Sequence, residues 1–134
     1  MKYFIMIILL MLMSCTQEST LVTDAELSQD FTLNVGERKR IGTEGLSVKF
    51  NGVMEDSRCP IGAVCVWQGN GAISLEFQKS GMSPLTAILH TTLNPKDTTY
   101  AGYEIRFKRL SPYPKLGIQI LPSEYKATLN IKKI

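Results

Sequence analysis

The sequence predicts an all-β fold: a single antiparallel β-sandwich, with a small β-barrel as the alternative. Two observations carry this. Apolar residues recur with period two in segment after segment of the 134-residue chain, the pattern of half-buried antiparallel strands. Between the segments lie turn signals, "IGTEG", "KSGMSP", "NPKD" and "LSPYPKLG". Beyond the N-terminal apolar run, no segment longer than a couple of turns shows helical periodicity. Several short strands at this spacing suit a sandwich or small barrel, and an immunoglobulin-like sandwich is the first expectation.

The chain opens "MKYFIMIILLMLMSC". Lys2 gives a positive start, and the apolar run from Tyr3 to Met13 follows, ending at the small residue Ser14. This is the layout of a secretory signal over residues 1–14. A run of about eleven residues is well short of the roughly 20 that a spanning helix needs. Leu12-Met13-Ser14-Cys15 resembles a bacterial lipobox. That resemblance implies cleavage before Cys15, a thioether lipid on its sulfur and an acylated new N-terminus, as by palmitate. The expected address is the cell envelope, on the extracytoplasmic side of a lipid bilayer, most naturally the outer membrane. Residues 15–30, "CTQESTLVTDAELSQD", are polar and read as a flexible tether with at most a helical turn at Asp24–Leu27.

From Phe31 to the end, residues 31–134, the pattern is that of the sandwich domain. Phe31, Leu33 and Val35 make the first alternating set. The charged "ERKR" at 37–40 reads as a solvated strand or turn before Ile41. Leu46, Val48 and Phe50 follow, then Ile73, Leu75 and Phe77. Leu85, Ala87 and Leu89 are weaker. Tyr103, Ile105 and Phe107, then Tyr125, Ala127, Leu129 and Ile131, complete the set. The formal net charge of +3 includes Lys2, so the domain is nearly balanced. Neither "ERKR" nor the closing "IKKI" makes a nucleic-acid surface.

"DSRCPIGAVCVWQG", 56–69, holds two of the three cysteines and the one tryptophan. With Cys15 assigned to lipid, Cys59 and Cys65 remain. A structural zinc site needs about four ligands, and the domain adds only His90 to the cysteine pair. A redox site usually uses C-x-x-C at a helix N-terminus, which Pro60 and the surrounding strands disfavour. A local disulfide in an oxidising compartment is expected, with Pro60 and Gly62 turning the ring. Asp56 is positioned to start the turn by accepting a backbone N–H two residues on, and Arg58 to pair with it. After Cys65, one phase runs through Trp67, Gly69, Gly71, Ile73 and Phe77. The favoured expectation is one long strand, bulged at the glycines. The competing register is a hairpin at Asn70-Gly71. Trp67 is expected in the core over the disulfide, with an exposed anchor as the rival reading. Tyr113, between Pro112 and Pro114, sits on a stiff connection, either exposed or folded back onto the sheet.

Asp56-Ser57-Arg58-Cys59-Pro60, then Cys65-Val66-Trp67 and Gly69, resembles a motif of small bacterial secreted proteins and lipoproteins of unknown function. The likeness extends loosely over "FTLNVGE", "LSVKFNGVMED", "LSPYP" and "EYKATLNI". Gln68 stands where a small residue is usual. The resemblance implies a compact envelope β domain and carries no catalytic residue and no ligand.

Other chemistry is thin. A Ser–His–Asp triad would depend on His90, which lies in "AILHTT" without a nucleophile-elbow motif. Glu55 and Asp56 are adjacent and would face opposite ways on a strand. The expectation is a non-enzymatic, membrane-tethered module without cofactor or metal. It would recognise an envelope partner through Asp56, Arg58, Trp67 and Tyr113. The alternative is an inhibitor of an envelope or host hydrolase, a protease or lysozyme.

Overall fold

The computed structural model describes residues 23–134, where the alternating segments become two packed sheets. The signal at 1–14, Cys15 and the first part of the tether lie outside the described residues. The strands are β1 (Thr23–Ala25), β2 (Asp30–Asn34), β3 (Arg38–Ile41), β4 (Leu46–Asp56), β5 (Gly71–Lys79), β6 (Leu85–His90), β7 (Asp97–Tyr100), β8 (Tyr103–Ser111) and β9 (Lys126–Lys133). One sheet has five strands in the order β1-β3-β4-β5-β6; the other has four, β2-β9-β8-β7.

The fold is thus the expected β-sandwich. Its pairing is antiparallel except where β1 runs parallel to β3, which makes the five-stranded sheet mixed. Consecutive strands pair as two meanders, β3–β4–β5–β6 and β7–β8–β9, and β2 closes beside β9. The likeness to an immunoglobulin domain is one of layered architecture, because the strand orders β1-β3-β4-β5-β6 and β2-β9-β8-β7 are not those of its ABED and CFG sheets.

The inner faces are the apolar phases of the sequence. Leu46, Val48 and Phe50 from β4 meet Ile73, Leu75 and Phe77 from β5. Ile105 from β8 and Leu129 and Ile131 from β9 complete a core with essentially no exposure. Each such side chain contributes about 1.5–3 kcal/mol on burial, so the two faces can only be stable together.

Two strands escape the alternation argument. β1 carries buried Ala25, and Leu27 packs partly against the core. The ordered domain therefore starts before Phe31, and Asp24–Leu27 is strand and turn rather than a helical turn. β7 lies within "NPKDTTY", where only Tyr100 points inward, its ring 6.1 Å from that of Phe77. A short edge strand with one buried residue has no period to read.

β4 is longer than its alternation. It bulges between Phe50 and Gly52 and again between Val53 and Glu55 before reaching Asp56. Bulges bend and twist a strand. The cysteine-bearing loop forms the tip of the β4–β5 hairpin that these two bulges lead into.

Candidate functional site

The loop begins as an extension of the hairpin ladder. Ser57 N–H donates to the Asn70 carbonyl at 2.8 Å, and Cys59 N–H to the Gln68 carbonyl at 2.9 Å. The long strand from Cys65 to Phe77 does not form. Residues 68–70 return along 57–59 instead, and β5 starts only at Gly71. Of the two registers, the structure takes a hairpin, widened by the disulfide loop rather than turning tightly at Asn70-Gly71. Gly69 is required at this neck. It adopts φ +74°, and a Cβ there would stand 1.8 Å from the Ser57 carbonyl oxygen. The close backbone approach that glycine suggests is therefore real, between the two sides of the neck.

Cys59 and Cys65 are joined, with Cα atoms 6.0 Å apart. The ring they close is docked onto the 112–121 connection. Ile61 N–H donates to the Pro114 carbonyl at 2.9 Å, and Leu116 N–H to the Ile61 carbonyl at 3.0 Å. These bonds form a parallel bridge, Ile61 to Lys115, between two loops far apart in sequence. The proline-bearing connection enters through a cis Ser111–Pro112 peptide.

Arg58 is where the structure departs most from a recognition loop. It is 6% exposed. Its Nε and Nη2 donate to the two carboxylate oxygens of Asp56, each at 2.7 Å. Nη1 donates to the Leu110 carbonyl at 2.7 Å and Nη2 to the Pro112 carbonyl at 3.0 Å. The guanidinium lies 5.0 Å from the centre of the Tyr113 ring. One side chain thus ties the hairpin neck to the end of β8 and to the proline loop. The planar fork of arginine suits such a cluster of acceptors, where lysine's point charge would not.

Asp56 is equally internal. Besides Arg58, its Oδ2 accepts the Tyr125 hydroxyl at 2.9 Å, and its Oδ1 accepts the Arg58 N–H at 3.4 Å, a long version of the expected turn contact. Burial pushes the Asp56 carboxyl upward. The bonds from Arg58 and Tyr125, with the charge of Arg58, outweigh it and hold the carboxyl below its usual range. Burial and the same carboxylate raise Tyr125 to about 12. Asp56 and Arg58, expected among the residues of a binding loop, instead face inward as a buried lock. A buried pair whose charges are this fully bonded fixes one geometry, and losing either partner strands the other.

Asn70 is a second lock that sequence reading passes over. It is fully buried. Its Oδ1 accepts the N–H groups of Thr92 and Leu93 at 3.2 and 3.3 Å, and its Nδ2 faces His90 Nδ1 at 2.9 Å. With Oδ1 occupied as an acceptor, Nδ2 donates and His90 Nδ1 accepts. Thr91 adds two bonds to Gly71. The dipeptide Asn70-Gly71 carries a turn signal, which hides this role. Ser57, though exposed, also braces the neck, its hydroxyl accepting the Asn70 N–H at 3.1 Å.

Much of what remains on the outside is apolar, with Gln68 and Lys115 exposed among it. Trp67 is 51% exposed, which overturns the core expectation for it, and Val64 and Val66 are fully exposed at 104%. Ile61, Leu116 and Ile118 stand beside them at 59–65%. Tyr113 is exposed on one face and stacked on Arg58 with the other. Of the four residues expected to form one binding loop, only Trp67 and Tyr113 reach solvent. The valines were missed because alternation assigns them to a strand. Among the described residues, no group of three or more His, Cys, Asp or Glu side chains is arranged to hold a metal.

Comparison with protein-family models, with curated proteins and with solved structures finds no match to this chain.

Proposed function

We propose that this chain is an envelope lipoprotein, tethered by acylated Cys15, that acts as a non-catalytic binding module. Its recognition surface is the apolar end formed by the disulfide loop and the 112–121 connection. The observation that supports this reading is the contrast at that end: fully exposed aliphatic side chains on a loop held by a disulfide, an inter-loop bridge and a buried ion pair. Exposed apolar groups cost the free protein hydration free energy, so a contiguous set marks a surface that something covers. A loop already fixed in one shape loses little further entropy on binding. The resemblance to small secreted proteins and lipoproteins agrees in class. The disulfide-closed tip also favours the second reading, insertion into the cleft of an envelope or host hydrolase.

A photoreactive residue placed at position 64, 66 or 67 of the full chain tests the surface. Adducts are expected from these positions and not from Thr43, on a turn at the opposite end. Equal labelling from both ends, or none from the loop, counts against the proposal. Inhibition of a protease or lysozyme that Val64→Asp abolishes would select the second reading.

A further inference from the structure

We infer that the partner of this apolar end is the interfacial layer of the bilayer itself, on the same membrane that holds the acylated Cys15. The inference deepens the tethered-module reading and rests on it. Three observations converge.

The first is chemistry. From Cys59 to Leu75 the sequence has no charged residue, and none from Leu116 to Ser123. Asp56 and Arg58, which precede the ring, are turned inward and neutralise each other, and the exposed charge beside it is Lys115, bridged to Ile61 and of the sign that suits anionic headgroups. What faces out is Ile61, Val64, Val66, Leu116, Ile118 and Trp67. Aliphatic side chains with a tryptophan suit the headgroup–acyl boundary, where an indole keeps its apolar body in lipid and its N–H near water.

The second is direction. β4 climbs toward the loop, β3 runs antiparallel to it, and β1 runs parallel to β3. The chain entering β1 therefore comes from the loop end of the sandwich. The third is reach. Thr23 pairs with Lys39, which pairs with Val48. Two bulges set the stretch of β4 from Val48 to Asp56 against only six residues of β5, from Phe77 to Gly71, so its rise is roughly 20 Å at about 3.3 Å per residue although it is eight residues long. Cys15 precedes Thr23 by the same number of residues, which can span at most about 26–29 Å. A lipid on Cys15 can thus lie level with the hairpin neck. The loop beyond the neck then stands at or below the headgroups, within the roughly 5–10 Å depth of interfacial binding.

Trp67 is the only tryptophan in the chain, so its fluorescence reports this surface alone. The full acylated chain is reconstituted into phosphatidylcholine–phosphatidylglycerol vesicles brominated at shallow acyl positions. Trp67 is expected to be quenched by bromine and shielded from aqueous iodide. Val64→Asp with Val66→Asp, at fully exposed positions, should leave folding and vesicle flotation unchanged yet return Trp67 to iodide. Trp67 that stays iodide-accessible and unquenched in the floated wild-type chain overturns the inference while the tether stands. Shielding seen only in native envelope membranes, and not in protein-free vesicles, overturns it in favour of a protein partner. Mass spectrometry of the N-terminal peptide tests acylation of Cys15 separately, so failure of the anchor is not confused with failure of the docking.

Discussion

Replacing Arg58 by alanine should damage the fold and leave the outer surface chemistry intact. The side chain makes four hydrogen bonds at 2.7–3.0 Å, to Asp56 twice and to the Leu110 and Pro112 carbonyls. Its pair with Asp56 is 5% and 9% exposed on the two side chains. Alanine would leave a buried carboxylate with only the Tyr125 hydroxyl and the turn N–H, and would take the guanidinium donor away from two main-chain carbonyls. Removing one partner of a buried, bonded ion pair typically costs about 3–5 kcal/mol. For a domain of this size, about 4 °C of melting temperature accompanies each kcal/mol, so a fall of about 12–20 °C is expected. Thermal and urea unfolding by circular dichroism, without reductant, is the assay. Arg58→Lys should recover only part of the loss, since an ammonium cannot serve the fork of acceptors. Trp67→Ala, at an exposed position, should change stability by no more than about 0.5–1 kcal/mol. A fall of less than about 1 kcal/mol for Arg58→Ala, or a Trp67→Ala loss equal to it, would refute the division between internal lock and outer surface.

Three further outcomes follow from the same geometry. Gly69→Ala forces a methyl against the Ser57 carbonyl at a left-handed φ; it should destabilise by several kcal/mol, about 3 or more, in the same unfolding assay. Replacing Cys59 and Cys65 together by serine opens a ring of sequence separation 6 and should cost about 2 kcal/mol on the chain-entropy view, read from urea midpoints at unchanged slope. The pH profile should fall at both ends. The folded pKa of Asp56 lies below its ordinary 3.8, so its contribution is complete above the unfolded value and is lost as pH drops through the folded one. Tyr125 is raised from 10.0 to about 12, so the folded state keeps a proton that the unfolded chain releases, and stability falls as pH rises from 10.0 toward 12. Asp56→Asn should flatten the acid limb, measured as melting temperature against pH.

The sandwich was legible because burial on one face leaves a period of two. Leu46-Val48-Phe50 and Ile73-Leu75-Phe77 announce their strands and their inward faces. β1 and β7 were not legible, since each has at most one inward residue within the described positions. The disulfide followed from counting cysteines against the expected compartment. The hairpin register did not, because Cys65, Trp67, Gly69 and Gly71 share a phase that either geometry satisfies. Gly69 decides it, and only through the carbonyl of Ser57 across the neck.

Asp56 and Arg58 show why charge in a loop is a poor guide to exposure. Beyond each other, Arg58 donates to the main-chain carbonyls of Leu110 and Pro112, more than fifty residues on, and Asp56 accepts from Tyr125 in a different segment. Local sequence contains none of these partners. Trp67 erred in the opposite direction, since large aromatic residues are usually inside. Here the Asp56–Arg58–Tyr125 cluster fills the interior beneath the loop, and the tryptophan is left over for the surface.

The most direct measurement is the iodide quenching of Trp67 in the membrane-bound full chain, compared with the Cys15→Ser chain free in buffer. The account predicts a several-fold loss of iodide access on the membrane, with the Arg58 lock intact by circular dichroism in both. Equal access in the two states would contradict the claim that this end of the sandwich is a docking surface.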